Sequence, residues 1–255
     1  MRNTNPVFSR IYKERAAQQE TTQGQVLDTA TYLGVGLKVL MYVLLTIAGA
    51  IGAVAMIVNR VETLMPVLIA SSIGSLIFSM IALFFPTASS WAGTIYCVMQ
   101  GFLLGTVTYI VNKELPGIAV TAILTTVSVV LVVAILFSTK LVKVTNRFVN
   151  FVMILTFSVI FAFFLSMILS LFSSSISEFF TSQNTWIGLG ISVVVALLAT
   201  LYIFLDLENI KSIVEGQCDK RYEWYAAFGF VFTILWLYVR ILYILIIIRR
   251  YTSRN

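Results

Sequence analysis

The sequence predicts an all-α integral membrane protein with seven transmembrane helices, and three observations carry that reading. Of 255 residues, 59% are hydrophobic, and the mean hydropathy is +0.96, beyond the range of a soluble domain of this size. The apolar residues gather in seven runs, each close to the ~20 residues a helix needs to cross a ~30 Å hydrocarbon layer. Pro66, Pro86 and Pro116 all fall at run edges, where a missing amide donor does little harm.

The first run covers 35–58, the second 64–84 and the third 91–112. The fourth covers 117–137, the fifth 149–172 and the sixth 185–205. The seventh begins near Glu223 and stays apolar to Ile248, broken only by Arg240. Residues 1–34 read as a polar tail with a short helix near 7–19. Residues 35–248 form the transmembrane domain, and 249–255 a short basic C-terminal tail. The first apolar run is long enough to span, so it reads as a retained segment and not as a cleaved signal. No strong internal repeat points to an inverted-repeat transporter. Gly101 and Gly105 form a GxxxG, and Gly49 with Ala53 a similar small pair; both read as surfaces where helices of one bundle approach closely.

Lys and Arg in alternate loops set the orientation. The N-terminal tail, the loop after the fourth run and the loop after the sixth carry ten, against five on the opposite side. That bias predicts a cytoplasmic N terminus and, after seven crossings, a C terminus outside. The net charge of +6 is read as basic loops meeting anionic lipid, with no nucleic-acid partner. Histidine is absent, which removes the usual Ser-His hydrolytic and His-zinc chemistries. Cys97 lies in a span and Cys218 in a polar loop, so no disulfide is expected and two thiols alone make no zinc site. No Walker loop, HExxH or GxGD motif occurs, and no cofactor is called for.

The charges at span ends are the functional candidates. Asp206 closes the sixth run, Glu208 follows, and Glu223 opens the seventh. A carboxylate at the lip of a bilayer is costly unless it is paired, hydrated or protonated. Across a hairpin of about sixteen residues, Asp206 and Glu223 are expected at similar depth on adjacent helices. Two carboxylates in one partly dry site cannot both ionise cheaply, so they would titrate as a unit. Such a cluster suits pH sensing, or calcium binding through oxygen, with Asp206 as the metal ligand. The ordinary alternative is that Asp206 or Glu223 is solvated or paired with Lys211, Lys220 or Arg221. In that reading Glu223, in the first turn of its helix, is favoured by the macrodipole, and it is the better hydrated of the two. Glu208 is the third acid of the cluster, though it lies about 200° around the helix from Asp206. Lys38 reads as an inner-face anchor. Arg240 lies about 25 Å along the helix from Glu223, as an interfacial anchor that snorkels or as a gating residue.

Three segments carry a family resemblance: NPVFSRI at 5–11, LYIFLDLENI at 201–210 and EWYAAFGFVFTILWLYVRIL at 223–242. The chain resembles the Bax inhibitor (transmembrane Bax inhibitor motif) family, closest to its bacterial branch. The resemblance implies one central helix surrounded by six and a pH-sensitive calcium leak. It also implies a proton-sensitive latch between two aspartates on the last two spans. Asp206, in LDLENI, matches the first. The second would fall near Phe230, where this chain is apolar, and Glu223 is the nearest acid, about two turns away. The arginine that locks the latch from the second span has no counterpart, because 64–84 holds no Lys or Arg.

The expected function is therefore a non-enzymatic, pH-sensitive calcium leak channel, gated by carboxylates at the cytoplasmic end of spans six and seven. Calcium would be permeant or bound ion, and lipid, calcium or protons the partners. The alternative is a non-conducting membrane regulatory protein that binds a membrane protease or stress factor through 1–34 and 206–221. A proton-coupled transporter is a third reading.

Overall fold

The computed structural model describes residues 29–170 and 186–252. The polar segment before residue 29, with the short helix expected near 7–19 and the motif at 5–11, lies outside the described residues, as do 253–255. The seven long helices are α1 (Tyr32–Asn59), α2 (Leu64–Phe84), α3 (Ser89–Glu114), α4 (Ile118–Ser138), α5 (Asn146–Ser170), α6 (Trp186–Glu215) and α7 (Tyr222–Thr252). All seven are long and apolar enough to cross a membrane. Short 3-10 turns, Val61–Thr63 and Pro86–Ala88, lead into α2 and α3. Thr31 caps α1 by accepting a hydrogen bond from the Gly34 amide at 3.0 Å. Gly117 precedes α4 at φ +86°, a left-handed conformation that glycine adopts without steric cost.

α7 is the central helix. Its inner half buries Ala226, Ala227, Phe228 and Val231 in one core. Its outer half buries Leu237, Tyr238, Ile241 and Leu242 in a second. α1, α2, α3, α4 and α6 pack against it, whereas α5 packs mainly on α6. The bundle is thus built around one central helix, with α5 reaching it mainly through α6. The large apolar side chains that are exposed, such as Leu37, Leu44, Ile51, Leu124 and Phe157, line the outward faces where lipid is the solvent.

The largest departure from the sequence reading is α6. The sixth run was expected to end at Asp206, but the helix continues to Glu215 and the link to α7 is only residues 216–221. The polar residues of LENIKSIVE hid this extension. Leu207, Ile210, Ile213 and Val214 recur at helical spacing, and Ile213 is fully buried with Ile210 and Val214 against it. α7 likewise runs beyond Ile248 to Thr252.

Apolar burial does not drive helices together in lipid, so close backbone approach and packing must. The tightest approach is between α1 and α3. A Cβ on Gly49 would lie 2.6 Å from the Val98 carbonyl, and one on Gly105 would lie 2.5 Å from the Ala50 carbonyl. Gly101 meets the Thr46 carbonyl in the same way. The two small-residue motifs therefore face each other inside one chain. Gly105→Ala is expected to cost about 1–3 kcal/mol, the usual penalty of overpacking. Gly36, whose Cβ would meet nothing within 4 Å, is the control. Gly36→Ala should be neutral or stabilising by up to ~1 kcal/mol through helix propensity. Unfolding of both variants in detergent checks this, and equal stability of Gly105→Ala and the parent contradicts the packing.

Candidate functional site at the α6–α7 seam

The short link fixes the register of an antiparallel helix pair. With the turn centred between residues 218 and 219, Asp206 comes opposite the stretch near residue 231. A Cβ placed on Gly229 would lie 3.7 Å from Asp206 Oδ1, so the carboxyl rests on a part of α7 that has no side chain. Asp206 is half-buried. Its Oδ2 is shut off from solvent and accepts no hydrogen bond among the described residues. Thr233 brings its hydroxyl to the carboxyl, but donates to the Gly229 carbonyl at 3.1 Å. One hydroxyl proton cannot serve both acceptors. A protonated Asp206 can donate to the Thr233 oxygen and leave the Gly229 bond intact, whereas an ionised one gains that hydroxyl as donor only at the expense of the Gly229 carbonyl. Tyr225 on α7 is the titratable group within electrostatic reach.

Glu223 occupies a different environment. It is 0% exposed and pairs with Lys38 of α1, whose side chain is 15% exposed. Its Oε1 accepts from the Thr31 amide at 2.8 Å and from the Thr31 hydroxyl at 3.2 Å. The Lys38 ammonium stands 5.0 Å from the centroid of the Trp224 ring. The carboxylate lies against Gly34, where a Cβ would collide with it. The Ala30 amide donates to the Cys218 carbonyl at 2.8 Å, and Thr29 forms a β-bridge with Asp219. Together these contacts clasp residues 29–31 and the first turns of α1 onto the α6–α7 hairpin.

Asp206 and Glu223 are thus held by different partners. Gly229 and Thr233 are six and ten residues beyond Glu223, or about 9 and 15 Å along α7. The expected pairing assumed a long loop; the extension of α6 moves Asp206 one register deeper. The expectation that Glu223 is the better hydrated is also overturned, because it is sealed and salt-bridged to Lys38. Lys220 and Arg221 do not take that place. Arg221 turns to Asp219, at 3.1 Å, and holds its carboxyl below the usual aspartate range. Glu208 faces away from the seam and pairs with Lys211 at 3.6 Å. Arg240 is half-buried with its guanidinium 5.9 Å from the Trp236 ring centroid. Cys97 and Cys218 are both buried, and no disulfide joins them. The role of Lys38 was not read from the sequence, although Thr31, Gly34 and Lys38 share one helical face at i, i+3 and i+7.

Removing one member of a buried ion pair strands the other, at a cost of about 3–5 kcal/mol. Lys38→Met and Glu223→Gln should each lower the midpoint of thermal unfolding. The double variant should lose clearly less than the two single losses combined. Additive losses would show that the pair does not act as a unit. Asp219 offers a weaker effect. Its lowered pKa stabilises the fold above the ordinary carboxylate range, and that stability is lost as pH falls through the folded-state value. The Arg221 partner is largely exposed, so the contribution is below ~1 kcal/mol. Asp219→Asn should flatten the acid limb of a stability–pH curve below about pH 4 and leave the neutral region unchanged; an unaltered acid limb contradicts this.

Searches of curated proteins and of solved structures return no match. A family model described as Bax inhibitor 1 like matches residues 5–250, nearly the whole length. With seven membrane-spanning helices and a carboxyl seated in the seam between the last two, the chain belongs to the Bax inhibitor 1 like family.

Proposed function

We propose that this protein is a pH-sensitive cation leak channel, with calcium as the permeant ion, and that Asp206 is its proton-sensitive gate residue. The observation that carries the reading is the sealed, donor-less Oδ2 of Asp206, set against bare backbone at Gly229 of the central helix. In the closed seam the protonated carboxyl can donate to Thr233, while the carboxylate has at most that one hydroxyl, shared with the Gly229 carbonyl, and none at Oδ2. Opening the seam admits water or a cation, which stabilises the carboxylate. Deprotonation therefore favours the open state, and protonation the closed one.

Calcium takes six to eight oxygens in a resident site. Asp206 brings one carboxylate, and among the described residues no group of three acidic or thiol side chains gathers. A cation at Asp206 is thus better read as passing than as held. Lys38 and Glu223 would set how readily the hairpin end of α7 moves. The cation of this clasp comes from α1, since α2 carries no Lys or Arg. The charge bias supports a cytoplasmic hairpin end, and the resemblance to the family's bacterial branch supports a bacterial plasma membrane and a non-enzymatic role.

The test is calcium entry into dye-loaded liposomes that contain the purified protein, at pH 6 and pH 8. Entry should rise several-fold at pH 8; one linked proton over two pH units caps the rise at about 100-fold. Asp206→Asn should abolish the difference. Glu223→Gln should change the overall leak but keep its pH dependence. A wild type that leaks at neither pH ends the channel reading in favour of a regulatory membrane protein. A pH response that survives in Asp206→Asn removes the site assignment and leaves the pore.

A further inference from the structure

Gly229, Thr233, Trp236 and Arg240 follow one another on α7 at spacings of four, three and four, which is one helical face. That face looks toward α6. The Trp236 ring packs edge-on against Tyr202 of α6, with centroids 6.5 Å apart. The Tyr202 hydroxyl is hydrogen-bonded to Thr156 of α5 at 2.9 Å. This row of side chains ties all three helices at one level. Beyond it α5 splays: Ile160, Phe161, Phe163 and Phe164 are all exposed, and so are Val193, Val194 and Leu197 on α6.

Arg240 stands one turn past Trp236, about 6 Å further along α7. It therefore lies at the level where α5 and α6 expose these apolar side chains. Its Nε is buried with no hydrogen-bond partner among the described residues. No described carboxylate pairs with it. Glu114, an acid at the same end of the bundle, pairs with Arg250 at 3.5 Å. Tyr243 adds a phenol within electrostatic reach. The Trp236 ring meets this charge only in part, a charge at membrane depth is costly, and an anion is the expected occupant. Apolar side chains beside one cationic donor suit an amphiphile with an anionic head. Guanidinium offers a fork that matches phosphate oxygens, and aromatic side chains of this kind are at home beside lipid headgroups.

We propose that Arg240, framed by Trp236, Tyr202 and Tyr243, binds the phosphate of an anionic phospholipid whose chains lie beside the splayed half of α5. The buried Nε–H donates to one phosphate oxygen, and the terminal nitrogens complete the fork. This site is independent of the gate assigned to Asp206.

Native mass spectrometry of the full chain, released from micelles of mixed phosphatidylglycerol and phosphatidylcholine, tests the proposal. The wild type should retain one phosphatidylglycerol in preference to phosphatidylcholine. Arg240→Met should lower that retention about tenfold, and Arg240→Lys, which keeps charge without the fork, by an intermediate factor. Arg250→Met, at the exposed Glu114 pair, should leave it unchanged. If Arg240→Met does not fold, the drop in Arg240→Lys at unchanged melting temperature carries the test. Undiminished retention in the Arg240 variants overturns the site. Displacement of the lipid by millimolar inorganic phosphate makes a free anion the ligand and overturns the lipid assignment. Glu178, outside the described residues, is the acid of the α5–α6 connection. Non-additive melting losses in Glu178→Gln and Arg240→Met would show an internal ion pair and also overturn it.

Discussion

An ionised group withdrawn from water must find its compensation on the spot, because the surrounding helices offer little dielectric response. Two carboxylates at the α6–α7 hairpin end meet this constraint in different ways. Glu223 is sealed but paired with Lys38 and bonded to Thr31. Asp206 has a sealed oxygen, Oδ2, that accepts no hydrogen bond among the described residues. The first arrangement is stable only with the α1 terminus docked on the hairpin. The second is comfortable only with a proton present or with the seam open. The same central helix carries both partners, Glu223 in its first turn and Gly229 two turns on. Movement at one therefore bears mechanically on the other.

The packing of the bundle follows a different logic from that of a soluble core. Lipid covers apolar faces as well as protein does, so exposed Leu, Ile and Phe carry no penalty. What holds α1 to α3 is the absence of side chains at Gly49, Gly101 and Gly105, which brings backbones into contact. The hydroxyls of Ser71, Ser75 and Ser79 on α2 are buried yet satisfied within their own helix, each donating to the carbonyl three residues back. They allow close approach and form no polar site. α5 packs through Phe148, Val152 and Thr156, and its turns from Ile160 on are largely exposed.

Several polar side chains of the spans line the central seam. Asp206, Thr233, Tyr202, Trp236 and Arg240 lie along the α6–α7 contact, with Thr156 of α5 reaching in from the side. An acid near the hairpin end and a cation toward the other end give the seam opposite polarity at its two ends. A protein that only needed to anchor seven helices would have no use for that gradient.

Much of the fold was legible in the sequence. Span number, the edges of α2 and the mutual contact of the small-residue motifs follow from hydropathy, proline placement and glycine spacing, which act locally. Asp206 was legible as a candidate because a carboxyl in an apolar helix has a cost that composition alone reveals. The sequence did not reveal which group faces it. That depends on the length of α6, and the polar residues after Asp206 hid an extension held by Ile210, Ile213 and Val214 against the rest of the bundle. Nor did it join Lys38 to Glu223, 185 residues away, or show that Arg240 Nε finds no hydrogen-bond partner among the described residues. Hydropathy sorts residues into lipid and water one segment at a time. Partners across helices are set by register and tilt, and only the packed bundle decides those.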